Sequence, residues 1–93
     1  MMVGSDPPGP VRVVDGNALA GMLAGALAVD ATSLPLTCGH CGARFVLAQT
    51  VVEREPASAL VRCRSCTHTL LTLAEEPDGL VVRMGTMELR FPR

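Results

Sequence analysis

Leu19, Met22, Leu23, Ala26 and Leu27 recur at spacings of three and four. That period places side chains on one face of a helix. It predicts a helix over residues 15–29, with Asp15 or Asn17 accepting a hydrogen bond from the free N–H groups at its start. The other side of this helix, with Ala20, Gly21, Ala24, Gly25 and Ala28, carries no charge. Small residues four apart let a second backbone approach closely. One reading is an alanine-rich helix half covered by its own domain. The other is a partner-binding face, formed by Leu19, Ala20, Gly21, Ala24, Gly25 and Ala28, that meets another protein or a second copy of this chain. Gly21 and Gly25 each weaken a helix by about 1 kcal/mol relative to alanine, so tertiary packing must hold it.

Further along, the period becomes two. Asp30–Thr37 reads as a loop, with Thr32, Ser33 and Pro35 in it. Phe45–Val52 is β-prone, Glu53–Ser58 reads as a polar turn, and Ala59–Arg62 and Thr69–Ala74 read as strands. Glu75–Gly79 has the composition of a hairpin turn, and Gly85 separates strands at Leu80–Met84 and Met87–Phe91. In the last of these, Met87, Leu89 and Phe91 alternate with Glu88 and Arg90, the pattern of a half-buried strand. Residues 1–13, rich in proline and glycine, are expected to form a disordered leader, and residues 14–93 a single domain.

A domain of this size buries a modest share of its surface and often needs a metal or an oligomer as a staple. Eight arginines, no lysine and nine acidic residues leave a net charge of −1. The arginine bias suits a high-GC bacterial coding sequence. The charge argues against nucleic acid or a membrane surface as partner. Phe45 and Phe91 are the only aromatic Phe, Tyr or Trp residues, so stacking platforms for bases are scarce. The most apolar run, Ala18–Val29, is about half the length of a bilayer span. Arg12 alone precedes it, and Asp15 sits at its start, which makes a poor signal peptide. The expected location is the cytoplasm, where reduction disfavours disulfides and favours metal binding.

The strongest chemical signal is Cys38-x2-Cys41, twenty-one residues, then Cys63-x2-Cys66. Two thiols two residues apart wrap one side of a cation, and two such turns complete a tetrahedron with no open position. Cys41 is followed at plus four by Phe45, and Cys66 at plus four by Leu70, so the two turns form a short internal repeat. The expected fold is a small α+β metal-bound domain: a zinc-ribbon (rubredoxin-like) antiparallel β core with one N-terminal helix. The expected ion is Zn2+ in a purely structural role, and Fe is the alternative because both accept tetrahedral sulfur sites. Four thiolates on a divalent ion carry a formal charge of −2, and Arg44, Arg62 and Arg64 lie close enough in sequence to compensate it. His40 and His68 lie within or just beyond the cysteine turns, and are expected to face solvent or support the ligands.

The phrases DGNALAG (15–21), AVDAT (28–32), CGHCGA (38–43) and LVRCRSC (60–66), with LRF near the end, together resemble a family of short bacterial proteins of unknown function. That family pairs an opening helix with zinc-ribbon-like cysteine turns. The resemblance implies Cys38, Cys41, Cys63 and Cys66 as ligands, and a redox enzyme of the flavin or molybdenum kind as partner. The segment MLAGALAV (22–29) departs from the family in lacking an acidic residue and a phenylalanine.

No nucleophile with a base and no glycine-rich phosphate loop is visible, so the chain is expected not to be an enzyme. The leading expectation is a zinc-stabilised protein-interaction or accessory module. The alternatives are a rubredoxin-like iron electron carrier serving an oxidoreductase and a zinc-ribbon nucleic-acid-binding protein.

Overall fold

The computed structural model describes residues 11–24 and 30–92. Its strands are β1 (Arg12–Asp15), β2 (Pro35–Thr37), β3 (Arg44–Val46), β4 (Val51–Glu55), β5 (Ser58–Arg62), β6 (Thr69–Glu76), β7 (Gly79–Met84) and β8 (Met87–Pro92). One α-helical turn, α1 (Ala20–Leu23), follows β1. A six-stranded antiparallel sheet has the order β1-β4-β5-β6-β7-β8, and β2 and β3 form a separate two-stranded sheet. The outcome is a small, mostly stranded α+β domain.

Two-residue turns make three of the four connections in the meander from β4 to β8, and the six residues Cys63–His68 make the one between β5 and β6. Pro56-Ala57, Pro77-Asp78 and Gly85-Thr86 connect successive strands. The polar stretches expected as turns are therefore shorter than composition suggests. Glu53–Glu55 and Glu75–Glu76 continue the strands, because their backbones still pair across the ladder. Gly85 takes φ +60 at the first central position of its turn, which glycine does without steric cost.

Strand alternation builds the core. Ala59, Leu73, Val82 and Leu89 stand in one row across the sheet, and Val14, Val52, Val61 and Leu71 in another. Leu19, Met22 and Leu23 pack onto this face, with Ala31 and Leu47 beside them. Leu19, Val52 and Val61 are fully buried. Truncating such a leucine to alanine costs about 2–5 kcal/mol through lost transfer energy and the cavity left behind.

Several elements differ from the sequence expectations. Arg12 and Val13, expected in the leader, pair with Arg54 and Glu53 in β1. A non-local partner decides this, and no local pattern reports it. The helix begins later than Asp15, since Gly16–Leu19 is a 3-10 helix and α1 starts at Ala20. The rest of the expected helix, residues 25–29, lies outside the described residues. Pro35–Thr37, expected in a loop, pairs with Val46–Arg44. The β-prone stretch 45–52 is broken by a 3-10 turn at Leu47–Gln49. There Gln49 Oε1 accepts from Val46 N, and Thr50 Oγ1 donates to Leu47 O. Such local side-chain bonds compete with the ladder.

The motif Asp15-Gly16-Asn17 joins β1 to α1. Asp15 Oδ1 accepts from Asn17 N at 3.0 Å, the cap expected from sequence. Gly16 N donates to Thr50 O at 3.1 Å. A Cβ at Gly16 would lie 1.6 Å from Leu47 O, so only glycine fits. Thr50 is fully buried here, with its hydroxyl satisfied by Leu47 O.

Candidate metal centre

Each cysteine pair occupies the connection of a β-hairpin. The first lies between β2 and β3, the second between β5 and β6. The two turns repeat one hydrogen-bond scheme. Cys38 N donates to Ala43 O and Gly42 N donates to Cys38 O; Cys63 N donates to His68 O and Thr67 N donates to Cys63 O. Both turns also need a left-handed residue one place after the second cysteine. Gly42 supplies it at φ 80 and Thr67 at φ 65. Near the second turn the β5–β6 register shifts between Val61 and Arg62, where the ladder opens into the connection.

The four sulfurs converge. Cys38 Sγ lies 3.8 Å from Cys66 Sγ, and Cys41 Sγ lies 3.7 Å from Cys63 Sγ. All four lie within 4.8 Å of one another. The two short distances run between turns rather than within them. A disulfide needs about 2.05 Å, and none of the four cysteines is bonded in one. A tetrahedral ion with metal–sulfur bonds of about 2.3 Å holds sulfurs about 3.8 Å apart. The residues present thus fit a four-coordinate ion, and the donor set suits zinc or iron alike. Cys38 and Cys63 are buried, Cys66 half-buried and Cys41 exposed, so one side of the cluster faces water.

The thiols are electrostatically unlike. Backbone N–H groups of Cys41 and then His40 stabilise the Cys38 thiolate and lower its pKa to about 6, against the cost of burial. Cys66 is pushed up to about 12: the His68 backbone favours its thiolate, but burial and the crowding of Cys41, Cys38 and Cys63 outweigh that. Cys41 is likewise raised, its backbone bond at Ala43 being outweighed by burial and by Cys63 and Cys38. A bound cation would favour the thiolate form of Cys41 and Cys66 against these effects.

The neighbouring residues have specific partners. The His40 and His68 rings stack with centroids 4.3 Å apart and planes within 7°, joining the two turns beside the cluster. Both are exposed, and the converging ligand group consists of cysteines alone among the described residues. Arg62 Nε bonds Glu53 Oε2 at 2.7 Å and its Nη1 donates to Thr67 O. Arg64 Nε donates to Gln49 O at 2.7 Å, tying the second turn to the 3-10 segment. Arg44 is exposed on β3. Sequence reasoning singled out these arginines for their charge and missed their structural partners. Glu53 and Gln49 come from other elements, and only the fold brings them near.

Of the expected partner-binding face, Ala20, Gly21 and Ala24 are exposed. Leu19 is not available to a partner, because it is fully buried in the core. Gly25 and Ala28 lie outside the described residues. No helix among the described residues is long and apolar enough to cross a membrane.

A family of unknown function, DUF6510, matches residues 9–93. The chain belongs to that family. No curated protein and no solved structure matches it.

Proposed function

We propose that this member of the family is a non-enzymatic, zinc-stabilised interaction module. One observation carries the reading: four thiols from two distant hairpins lie within 4.8 Å of one another, two pairs of them at the 3.7 and 3.8 Å that a tetrahedral ion imposes. Such a site has no position left for substrate or water, whereas catalytic zinc keeps one open. The ion would fasten β2–β3 to β5–β6, giving the zinc-ribbon arrangement. Zinc contributes about 10 kcal/mol or more of folding free energy in small zinc domains at neutral pH. Arg44, Arg62 and Arg64 would offset the excess negative charge of the thiolates. The exposed small residues Ala20, Gly21 and Ala24 form the candidate surface for a protein partner, a redox enzyme being the class implied by the resemblance. A reducing compartment such as the cytoplasm keeps the four thiols available for the ion.

Elemental analysis of the natively purified chain tests this reading. The expected result is one zinc per chain, with loss of ordered structure by circular dichroism after chelation. A metal-free chain with an unchanged spectrum would refute it.

A second reading, an iron electron carrier, draws on the exposure of Cys41, which brings one edge of the cluster to solvent. It requires a coloured, reversibly reducible protein from iron-supplied cells. A colourless, zinc-loaded product under the same supply would eliminate it. The nucleic-acid reading is weakened by the commitment of Arg62 to Glu53 and Arg64 to Gln49. Retention of DNA or RNA that weakens steeply with salt would restore it.

A further inference from the structure

We infer that the open edge of β8 pairs with β8 of a second copy of this chain, antiparallel and centred on Leu89. Among the described residues β8 borders only β7, so its other edge has no partner strand there. The two-residue Gly85-Thr86 connection makes Met84 and Met87 a hydrogen-bonded pair, and pairs alternate from there. The backbone groups of Met87, Leu89 and Phe91 therefore face β7. Those of Glu88 and Arg90 face outward. Pro92 falls on the outward side too, where its missing N–H costs the sheet nothing.

Sequence selects the register. An isologous antiparallel pairing through outward groups has few options. Centring on Glu88 opposes two carboxylates, and centring on Arg90 opposes two guanidinium groups. Centring on Leu89 places each Glu88 opposite Arg90 of the other copy, and Met87 opposite Phe91. Opposite charges directly across a ladder stabilise it and like charges destabilise it. The two copies would exchange four backbone hydrogen bonds.

The apolar face agrees with this register. Met87 is 49% exposed and Leu89 37% exposed, although both stand on the side of the sheet that builds the core. Leu89 also lines an apolar pocket of about 130 Å³ with Leu23, Leu34, Leu36 and Phe91. Pairing at Leu89 sets two leucines against each other on the axis and extends this apolar surface across the dimer. β8 has no lysine and no bulge, and its outward charges, Glu88 and Arg90, are of opposite sign, so in this register they attract a second copy.

Sedimentation velocity on the full, metal-loaded chain tests the inference, with amide exchange at Glu88 and Arg90 as a local readout. The expected result is a dimer that dissociates on dilution, with those two amides protected in the dimer and fast in the monomer. Arg90→Pro removes an outward N–H together with the exposed Arg90 pairs to Glu76 and Glu88, so it should leave the fold intact by circular dichroism and abolish the dimer. Glu88→Arg should weaken it by opposing two arginines, with circular dichroism checking that loss of the intrachain pair to Arg83 leaves the fold intact. Val13→Lys, on the opposite edge, should leave it unchanged. A monomer at every concentration, a dimer that survives Arg90→Pro, or an open-ended series of larger assemblies would each overturn the proposal.

Discussion

Gly42 and Thr67 hold the same place in two cysteine turns, and both have left-handed backbones, at φ 80 and φ 65. Each follows the second cysteine of its pair, and each N–H donates to the carbonyl of the first. The turn demands this geometry whatever residue is present. Glycine meets it freely, while a β-branched residue is strained there.

Thr67→Gly should therefore stabilise the metal-loaded protein by about 1 kcal/mol, the usual order for relieving a left-handed non-glycine residue. The reverse exchange, Gly42→Thr, should destabilise it by a similar amount. Denaturant unfolding of the two variants gives the comparison. Equal stabilities for wild type and Thr67→Gly would show that the Thr67 hydroxyl bond to Cys66 O offsets the strain.

Metal affinity should rise with pH. The sign follows from the thiols. Cys66, held up at about 12, and Cys41, also raised, are protonated at neutral pH and must release protons when a cation binds. Cys38, lowered to about 6, competes with protons only below that value. Chelator competition across about pH 6 to 8 should show affinity climbing throughout that window. An affinity independent of pH would mean that the thiols do not bind the ion as thiolates. Replacing Cys63 with serine should lower affinity and stability together.

Two glycines in one short segment should respond oppositely to alanine. At Gly16 a Cβ would overlap Leu47 O at 1.6 Å, so Gly16→Ala must displace the junction between β1 and the 3-10 segment. A loss of more than about 3 kcal/mol is expected, beyond the range of most single mutations. At Gly21, exposed within α1, nothing lies within 4 Å of the new methyl group. Gly21→Ala should stabilise the chain by up to about 1 kcal/mol through helix propensity. Thermal unfolding of both variants distinguishes these outcomes.

Acid should weaken the β7–β8 hairpin. Arg83, hydrogen-bonded to Glu88 at 2.8 Å, is the main cause that lowers the Glu88 pKa from its ordinary 4.5. A carboxylate with a depressed folded-state pKa contributes stability that is present above its unfolded value and lost as pH falls through the folded one. Stability should thus drop in a window beginning near pH 4.5 and extending below it. Glu88→Gln should flatten that part of the profile, and salt should shrink the effect because the pair is partly exposed. A variant profile parallel to wild type would remove Glu88 from the account.

The four-cysteine cluster was legible because its spacing is local. Cys38-x2-Cys41 and Cys63-x2-Cys66 each specify a turn by themselves, and two such turns imply a shared ion. The strands β5 to β8 were legible for a similar reason, since strand-prone composition and short turns act over a few residues. The burial of Leu19, Met22 and Leu23 was written in the helical period. What the chain alone left open depended on distant partners. β1 and β2 are strands because Glu53 and Phe45 stand opposite them, not because of their own composition. Gly16 is fixed by Leu47 O, and Arg64 by Gln49 O, contacts that close only when the domain folds. Thus the sequence by itself determined the two cysteine turns and the periodicity of the core, both short-range properties of bonded neighbours. The tertiary structure decided where the strands begin, which side chains remain exposed and which edge stays open, because those depend on contacts between residues far apart in the chain.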